Sequence, residues 1–405
     1  MRDAGRIRPI CKPDCGKQLH KWDCYEIGRR NKISLNIEKL NKGPLFGLRI
    51  VEFEGIGPAP LAGQLLSDLG AQVVKIERES REKSSTNILD RSKSTIALNL
   101  KSPGGNKIAR KLISKADVLI EGFRPGVMER LGLGPKDCEK INSGLVYGRI
   151  TGWGQDGPYS QKAGHDINYL SITGALNAIG LKRQPPIPPL NLLADYAGGT
   201  MFLILGVLSA LWEKTHSKKG QVIDAAMVEG VPALMGLIHS YIAENKWKNE
   251  REENLLDGGC PYYRCYETKD GNYVSVGALE NKFFAILVEK LGLKLDWVTE
   301  QTNKQKWPEL TEELKNIFLT RTRKEWGKIF EGTDACVEPV LNWEEVEHHP
   351  QNKDRNIFFK KNGVLQANTA PKFSRTSAND LPDTDNIQKS LEDILREWQI
   401  NGDSH

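Results

Sequence analysis

The feature that most constrains the fold is a strand, a glycine-rich turn and a helix in immediate succession. An apolar, β-branched run at Leu48–Phe53 predicts a buried strand. The turn Gly55-Ile56-Gly57-Pro58 follows, and then an apolar helix from Pro60 to about Leu69. Val73–Ile76 predicts the next strand. Strand, helix and strand in this order form a βαβ unit, which requires a parallel sheet.

The same alternation continues along the first half of the chain. Further strands and one helix are predicted at Thr95–Leu100, Ser102–Ile113 (the helix), Val118–Glu121 and Leu145–Thr151. Two apolar helices follow at about Gly198–Lys214 and Ala225–Glu244, on either side of a strand-like Gln221–Asp224. The pattern predicts an α/β fold, with a doubly wound parallel-sheet large domain over residues 43–225 and a helical linker over 226–262.

A second, smaller domain is predicted from a change of pattern after residue 262. Tyr262–Glu267 and Tyr273–Val276 flank Lys269-Asp270-Gly271-Asn272, which is typical of a β-hairpin. Helices are predicted at about Asn281–Leu291, Trp307–Leu319 and Lys324–Phe330. These elements indicate a small α+β domain over residues 263–355. A C-terminal segment, 356–405, with a hairpin at Asn362-Gly363 and a helix near Ile387–Trp398, is expected to return to the large domain.

Residues 1–42 have a different character, because they are rich in Arg and Lys and show little hydrophobic periodicity. They contain Cys11, Cys15, His20 and Cys24, whose thiolates and imidazole would suit zinc, although the spacing is not that of common zinc knuckles. The composition favours a poorly ordered N-terminal extension instead. A degenerate mitochondrial presequence is a third interpretation, which the acidic residues in the segment disfavour.

Composition excludes several classes of protein. A net charge of +5 on 405 residues is too small to indicate nucleic-acid binding, although it would suit a polyanionic small ligand. Seven irregularly spaced cysteines do not form a disulfide framework and indicate a reducing compartment. The longest apolar run, Gly198–Trp212, is shorter than the ~20 residues of a membrane span, so no membrane segment is expected.

Two short segments place polar residues in glycine-rich, apolar surroundings. They are Gly164-His165-Asp166-Ile167-Asn168-Tyr169 and Leu193-Ala194-Asp195-Tyr196-Ala197-Gly198-Gly199. Taken alone, His165 could be a hydrogen-bonded core histidine, and Asp195 could cap the helix that follows it. Glu280 could similarly cap the helix that starts near Asn281. No Walker loop, complete dinucleotide loop or G-x-S-x-G nucleophile elbow is present.

Long stretches from Gly43 onward nevertheless resemble one known family. The stretches are GLRIVEFEGIGPAP, ADVLIEGFRPGVMERLGLGP, GRITGWGQDGPYSQKAGHDINYLSITG, PPLNLLADYAGGTMF, KKGQVIDAAMVEG, LLDGGCPYYRCYETKDG and SVGALE. They are similar to the α-methylacyl-CoA racemases, within the family III CoA-transferase superfamily. The resemblance implies an isomerase that inverts C2 of 2-methylacyl-CoA thioesters, such as intermediates of branched-chain fatty acid and bile-acid metabolism.

The resemblance also implies roles for individual residues. It makes His165 and Asp195 the acid/base pair and Glu280 the partner of the histidine, supplied by the other subunit of an interlocked homodimer. Arg78, Lys93, Arg124 and Arg130 match positions that hold the CoA phosphates. Substrate contacts are implied for Ala97, Leu98, Asn99, Leu100, Gly164, Asp166, Ile167, Asn168 and Tyr169. Two departures from the pattern, Asn99 and Cys260, do not affect the catalytic set.

The implied partners and location follow the same resemblance. The substrate is an acyl-CoA thioester, and neither a metal nor a separate cofactor is expected. Neither nucleic acid nor a membrane is expected as a partner. The implied location is the mitochondrion, the peroxisome or both, although the C-terminal Gly402-Asp403-Ser404-His405 is not a clear peroxisomal address.

The chemistry explains why two bases are needed. A hydrogen α to a thioester is weakly acidic, and inversion requires removing a proton from one face and adding one to the other. An imidazole with an ordinary pKa of ~6.5 works near neutrality, whereas a carboxyl starting at ~3.9 needs a dry, apolar site. Helix N-termini and glycine N–H groups are expected to stabilise the enolate oxygen. Two alternatives stay open, namely a family III CoA transferase with Asp195 as nucleophile and a non-catalytic acyl-CoA-binding protein.

Overall fold

The computed structural model describes residues 43–78, 87–376 and 389–400. Six parallel strands form its main sheet, in the order β3-β2-β1-β4-β5-β6. The strands are β1 Arg49–Phe53, β2 Gln72–Glu77, β3 Ser94–Ala97, β4 Val118–Glu121, β5 Val146–Thr151 and β6 Val222–Ala226. Ile50 of β1 pairs with Val73 of β2 and Val118 of β4, in parallel register on both sides. The predicted α/β fold with a parallel sheet is confirmed.

Helices cover both faces of this sheet. They are α1 Pro58–Asp68, α2 Pro103–Ile113, α3 Val127–Arg130, α4 Pro135–Ile141, α5 Asp166–Ser171, α6 Ala175–Ala178, α7 Met201–Ser217, α8 Met227–Leu234 and α9 Gly236–Ala243. A π-helix over Leu192–Thr200 and a short 3-10 helix over Ile88–Asp90 complete the set. Ile50 packs with Leu66 of α1, whereas Val51 packs with Leu112 of α2. Successive residues of β1 therefore face opposite layers, as a strand buried on both sides requires.

The second half forms a separate antiparallel sheet with its own core. Its strands are β7 Tyr263–Glu267, β8 Tyr273–Gly277 and β9 Val337–Pro339, and its helices are α10 Asn281–Leu291, α11 Asp296–Glu300, α12 Trp307–Phe318 and α13 Arg323–Phe330. Tyr266 stacks on Phe318 in this core, and Phe318 meets Trp326 edge-on. The predicted hairpin and helices are confirmed to within a residue or two.

The C-terminal residues form a hairpin and one helix. A 3-10 helix at Val346–His348 is followed by α14 Pro350–Asp354, β10 Phe358–Lys361, β11 Val364–Ala367 and α15 Leu391–Glu397. Ile394 and Trp398 pack in the same cluster as Val51 and Phe53 of the main sheet.

Three predicted boundaries are wrong. β3 ends at Ala97 rather than Leu100, because the Asn99 carbonyl accepts the Ser102 N–H and turns the chain into α2. The single helix expected over Ala225–Glu244 is the end of β6 followed by α8 and α9, which meet at Met235 after the helix-breaking Pro232. The helix expected from Gly198 continues a π-helix that begins at Leu192.

The π-helix and α7 together bear on the expectation about membrane spans. Leu192–Ser217 is 26 residues of continuous helix with a mean hydropathy of 1.6 over its most apolar window, so its length and composition would allow a membrane crossing. This helix is longer than the unbroken apolar run Gly198–Trp212 on which the expectation of no membrane segment rests, and that expectation stays a prediction. A core helix of a soluble protein passes the same test, and 33% of this window is buried inside the chain.

Candidate active site

The carboxyl ends of β1, β4 and β5 converge on one cavity of about 720 Å³. Glu54, Gly122 and Trp153, which follow these three strands, line it. β1 and β4 are neighbours although β2 and β3 lie between them in the chain, so the cavity opens at the switch point of the sheet. Ligands of open α/β sheets bind at this position.

His165 lines the cavity at the start of α5. It precedes the first helical residue, Asp166, and the Asn168 side-chain oxygen accepts its backbone N–H at 3.0 Å. The residue is exposed and is therefore not a buried core histidine. Asn168, which the resemblance implied as a substrate contact, fixes the backbone at His165 and does not line the cavity.

Asp195 lines the same cavity from the π-helix Leu192–Thr200. It is the fourth residue of that helix, so the alternative in which it caps a following helix is wrong. π-Helices are rare and occur frequently at functional sites. Asp195 Oδ2 lies 3.2 Å from the position that a Cβ on Gly57 would occupy, and Gly57 has a φ of +73°. The carboxyl group therefore lies against the residue immediately before α1.

The surroundings of Asp195 favour its protonated form. Burial, and then the nearby Asp166 carboxylate, raise the pKa of Asp195, while a hydrogen bond from Asn191 and the charge of His165 oppose the shift. Removing a carboxylate from water and placing a second one beside it both disfavour ionisation. Because the charge of His165 affects the pKa of Asp195, the two side chains lie close enough to interact electrostatically.

Tyr169 connects the two walls of the cavity. Its hydroxyl donates to the Gly164 carbonyl, and its ring packs edge-on against Trp153 with centroids 4.8 Å apart. A Cβ on Gly152 would lie 2.0 Å from the ring, so only glycine allows this approach. Burial, followed by the Asp195 charge, raises the pKa of Tyr169 to about 12. The hydroxyl is therefore a protonated structural donor at neutral pH.

A second cavity of about 910 Å³ adjoins the first. It brings together six of the predicted substrate-binding residues, namely Arg78, Leu98, Asn99, Leu100, Arg124 and Arg130. Arg78 and Arg124 line both cavities. The cavity that holds His165 and Asp195 is therefore continuous with a site rich in guanidinium groups, which suit phosphates.

Several other predicted contacts lie elsewhere. Lys93 is fully buried, and its Nζ donates to both Glu52 carboxylate oxygens at 2.7 and 2.9 Å and to the Pro60 carbonyl at 2.8 Å. An ammonium with all three donors used inside the core cannot hold a phosphate, so this prediction is corrected. Ala97 lines a separate cavity of about 320 Å³, and Asp166 and Ile167 line none of these cavities.

Glu280 is not part of the cavity of its own chain. It precedes α10 in the small antiparallel domain, where its exposed side chain makes no capping hydrogen bond and its charge acts on Cys336. The chain thus brings His165 and Asp195 together and leaves Glu280 apart.

The sequence analysis missed part of the lining. Glu54, Trp153 and Lys162 line the cavity that holds His165 and Asp195. Glu54 directly follows a predicted strand and Trp153 is the second residue after another, so the rule that ligands bind at the carboxyl ends of parallel strands could have identified them. Lys162 gave no comparable signal.

Among residues 43–78, 87–376 and 389–400, no group of three or more His, Cys, Asp or Glu side chains is arranged to hold a metal ion. The zinc hypothesis for Cys11, Cys15, His20 and Cys24 concerns residues outside those described.

Known proteins match most of the chain. The family model of CoA-transferase family III matches residues 45–383. The α-methylacyl-CoA racemase of Mus musculus is 42% identical over 356 residues, which are 87% of this chain and 93% of that protein. The corresponding Homo sapiens racemase is 44% identical over 314 residues, 78% of this chain and 82% of that protein. A CAIB/BAIF family protein from Brucella suis has the same fold, with a TM-score of 0.71, 24% identity, and coverage of 88% of this chain and 100% of its own.

Proposed function

The chain belongs to CoA-transferase family III, and from this premise we propose that it is a racemase that inverts C2 of 2-methylacyl-CoA thioesters. The observation that carries the proposal is the pairing of His165 and Asp195 in one cavity beside an arginine-lined cavity. The first supplies two proton-transfer groups, and the second supplies a site for the phosphates of CoA.

The proposed reaction removes the proton from one face of C2 and adds a proton to the opposite face. A neutral His165 removes the C2 proton of one epimer, and the electron pair of the broken C–H bond becomes an enolate. A protonated Asp195 then gives its proton to the opposite face of C2. The other epimer reacts in the reverse sense. The raised pKa of Asp195 supports this role, because it keeps more of the carboxyl protonated than an ordinary aspartic acid would be.

The substrate is held mainly through its CoA part in this proposal. Arg78, Arg124 and Arg130 bind phosphate, and the binding energy orients the acyl group between the two bases. Ile56, Ile150 and Met227 offer apolar surface to the acyl chain in the catalytic cavity. The reaction requires neither a metal nor a cofactor, because the thioester itself acidifies C2.

Deuterium exchange tests the activity directly. A single epimer of a 2-methylacyl-CoA, incubated with the protein in deuterated water without any acceptor acid, should gain deuterium at C2 and lose optical purity. A requirement for an acceptor carboxylate would support a CoA transferase instead. Tight binding with no exchange would indicate an acyl-CoA-binding protein, and both outcomes would reject the racemase.

We also propose that the functional unit is a homodimer. Met201, Leu205, Leu208 and Trp212 are 52%, 60%, 38% and 71% exposed, and their spacing places them on one stripe of α7. A second copy covering this stripe would bury apolar surface that the single chain leaves in water. In the same dimer, Glu280 of one subunit would complete the cavity of the other and orient its His165.

Mixing two inactive variants tests the shared site. Asp195→Ala and Glu280→Ala proteins, reassembled together, form about half mixed dimers, each with one site free of both substitutions. Activity should recover to about a quarter of that of the wild type. No recovery, with subunit exchange verified by mass spectrometry, would show that Glu280 serves its own chain. An active Glu280→Ala protein would show that Glu280 has no role in the reaction.

We propose a mitochondrial or peroxisomal location on family grounds alone. Fluorescent fusions with and without residues 1–42 would separate the two compartments and show whether this segment directs import.

A further inference from the structure

One carboxylate connects the two segments that carry the proposed acid/base pair. Asp166 follows His165 directly and is the first residue of α5. Its Oδ2 accepts the backbone N–H groups of Ala194 and Asp195, both at 2.8 Å. The contact thus runs from the residue after His165 to the backbone of Asp195 itself.

The position of Asp166 does not suit a substrate contact. The residue is only 6% exposed and lines neither of the two large cavities. Its second oxygen, Oδ1, is buried and has no hydrogen-bond partner among the described residues. An unpaired buried acceptor is destabilising, so its presence calls for a compensating role.

We propose that Asp166 is a positioning residue that fixes the spacing between His165 and Asp195 through the two N–H groups it accepts. This inference deepens the proposed racemase function and rests on it. Inversion needs both bases within reach of a single carbon, on opposite faces, and a misplacement of about 1 Å can cost about 10²-fold in rate. A short link between the two backbones maintains this geometry without touching the substrate.

The charge of Asp166 adds an electrostatic effect. After burial, it is the largest cause of the raised pKa of Asp195, and His165 is the charged group that opposes it. Tyr169 on α5 also senses the Asp195 charge. Charged groups on the other elements packed nearby interact elsewhere or face solvent. Asp68 on α1 and Arg149 on β5 each have an ion-pair partner. Asp224 on β6 accepts the Gln155 N–H, and Glu229 on α8 is exposed.

Two substitutions separate the two effects. In Asp166→Asn the carboxamide oxygen can still accept both N–H groups, but the negative charge is lost. Asp166→Ala removes both the oxygen and the charge. We expect Asp166→Ala to lower the kcat of exchange by about 10²-fold with little change in KM, because the residue does not contact the CoA cavity. We expect Asp166→Asn to stay within about tenfold of the wild type.

The pH profile distinguishes this role from a merely structural one. Exchange from the epimer that Asp195 deprotonates rises with pH as this carboxyl ionises. Since the Asp166 charge raises the pKa of Asp195, Asp166→Asn should shift that rise to lower pH. Asp257→Asn is the matched control, because Asp257 also accepts two backbone N–H groups, from Asn254 and Gly259, but lies outside the cavities. The control should leave the profile in place.

These measurements have results that would contradict the proposed role of Asp166. Wild-type kcat in Asp166→Ala, or an unmoved profile in Asp166→Asn, would overturn the proposal; if Asp166→Ala does not fold, the Asp166→Asn profile decides alone. Amide hydrogen exchange at Ala194 and Asp195 in the ligand-free proteins gives an independent test. Amide exchange at these two residues should accelerate in Asp166→Ala and stay slow in Asp166→Asn. This expectation does not depend on racemase activity. A wild type that shows no exchange at C2 would reject only the proposed function.

Discussion

Two regions at the same edge of the main sheet each hold a pair of carboxylates, and they differ in the cation that accompanies the pair. Beside the arginine-lined cavity, Arg149 donates to Glu121 at 2.8 Å and to Glu129 at 2.9 Å. Beside the other cavity, Asp166 lies next to Asp195, and His165 is the cation whose charge opposes the raised pKa of Asp195.

The permanently charged guanidinium of Arg149 stabilises the structure of the first region. Glu121 also accepts the Phe123 N–H at 2.7 Å, so Arg149 ties together the loop that carries Arg124 and the helix that carries Arg130. A histidine, in contrast, is the side chain that most often transfers protons in enzymes. The permanently charged arginine therefore stabilises structure, whereas the imidazole of the other region can act as an acid or a base.

The largest effect is expected from Asp195→Asn, which removes proton transfer on one face. Exchange from the epimer that depends on Asp195 should fall by about 10²–10⁴-fold. The effect of the same substitution on the free energy of unfolding should depend on pH. A carboxyl whose folded pKa is raised destabilises the fold at pH values above that pKa and has no such effect below its unfolded value. The variant should therefore gain stability at neutral pH and lose this gain in acid, as measured by urea unfolding across pH. A loss of stability at neutral pH would contradict the comparison.

Arg149→Met should do the reverse and damage structure before chemistry. Removing one partner of a buried ion pair leaves Glu121 uncompensated, which typically costs about 3–5 kcal/mol of unfolding free energy. The folded fraction should keep its kcat while its KM for CoA esters rises. Arg396→Met is the control, because Arg396 forms a surface pair with Asp393 and should show no measurable change. A drop in kcat equal to that of Asp195→Asn would contradict the structural role of Arg149, because the two regions would then affect the reaction alike.

Gly57→Ala should affect both stability and rate. The positive φ strains any L side chain by about 1–3 kcal/mol, and the new Cβ would press on Asp195 Oδ2. Gly292→Ala is the matched control, since Gly292 has a φ of +67° with no atom within 4 Å of a new Cβ. Both variants should lose stability in thermal unfolding, but only Gly57→Ala should slow exchange. Equal exchange rates would place the Asp195 carboxyl away from the start of α1.

Tyr169→Phe should have the smallest effect. It removes one neutral hydrogen bond to Gly164, worth about 0.5–1.5 kcal/mol, and no proton-transfer group. Exchange should stay within a few-fold of the wild type, with its pH dependence unchanged. A new pH dependence in this variant would mean that the phenol titrates in the reaction.

Much of the main sheet could be predicted because parallel strands buried on both faces appear as uninterrupted apolar runs. β1, β2 and β4 were located to within a residue or so for this reason. β3 was extended too far because Leu98 and Leu100 continue the apolar pattern after the ladder has ended. Pattern alone also merged α8 with α9, since Pro232 lies in an otherwise helical run.

The site was harder to predict than the fold. His165 and Asp195 came from family resemblance, since each had an ordinary structural explanation taken alone. Lys93 was misassigned because a sequence shows a charge but not the Glu52 carboxylate that neutralises it inside the core. Asp166 was placed at the substrate, because only the folded chain reveals that its acceptor oxygen serves two amides on a distant segment.

The π-helix also links the cavity to the exposed stripe of α7. Each residue of a regular helix advances the direction of its side chain by about 100°. The wide turns of Leu192–Thr200 therefore set the angle between the Asp195 carboxyl and the row that starts at Met201. A one-residue deletion that converted this segment to an α-helix would rotate the Asp195 carboxyl relative to the row that starts at Met201. The geometry of the π-helix therefore couples the direction of the Asp195 carboxyl to the direction of the exposed apolar stripe on α7.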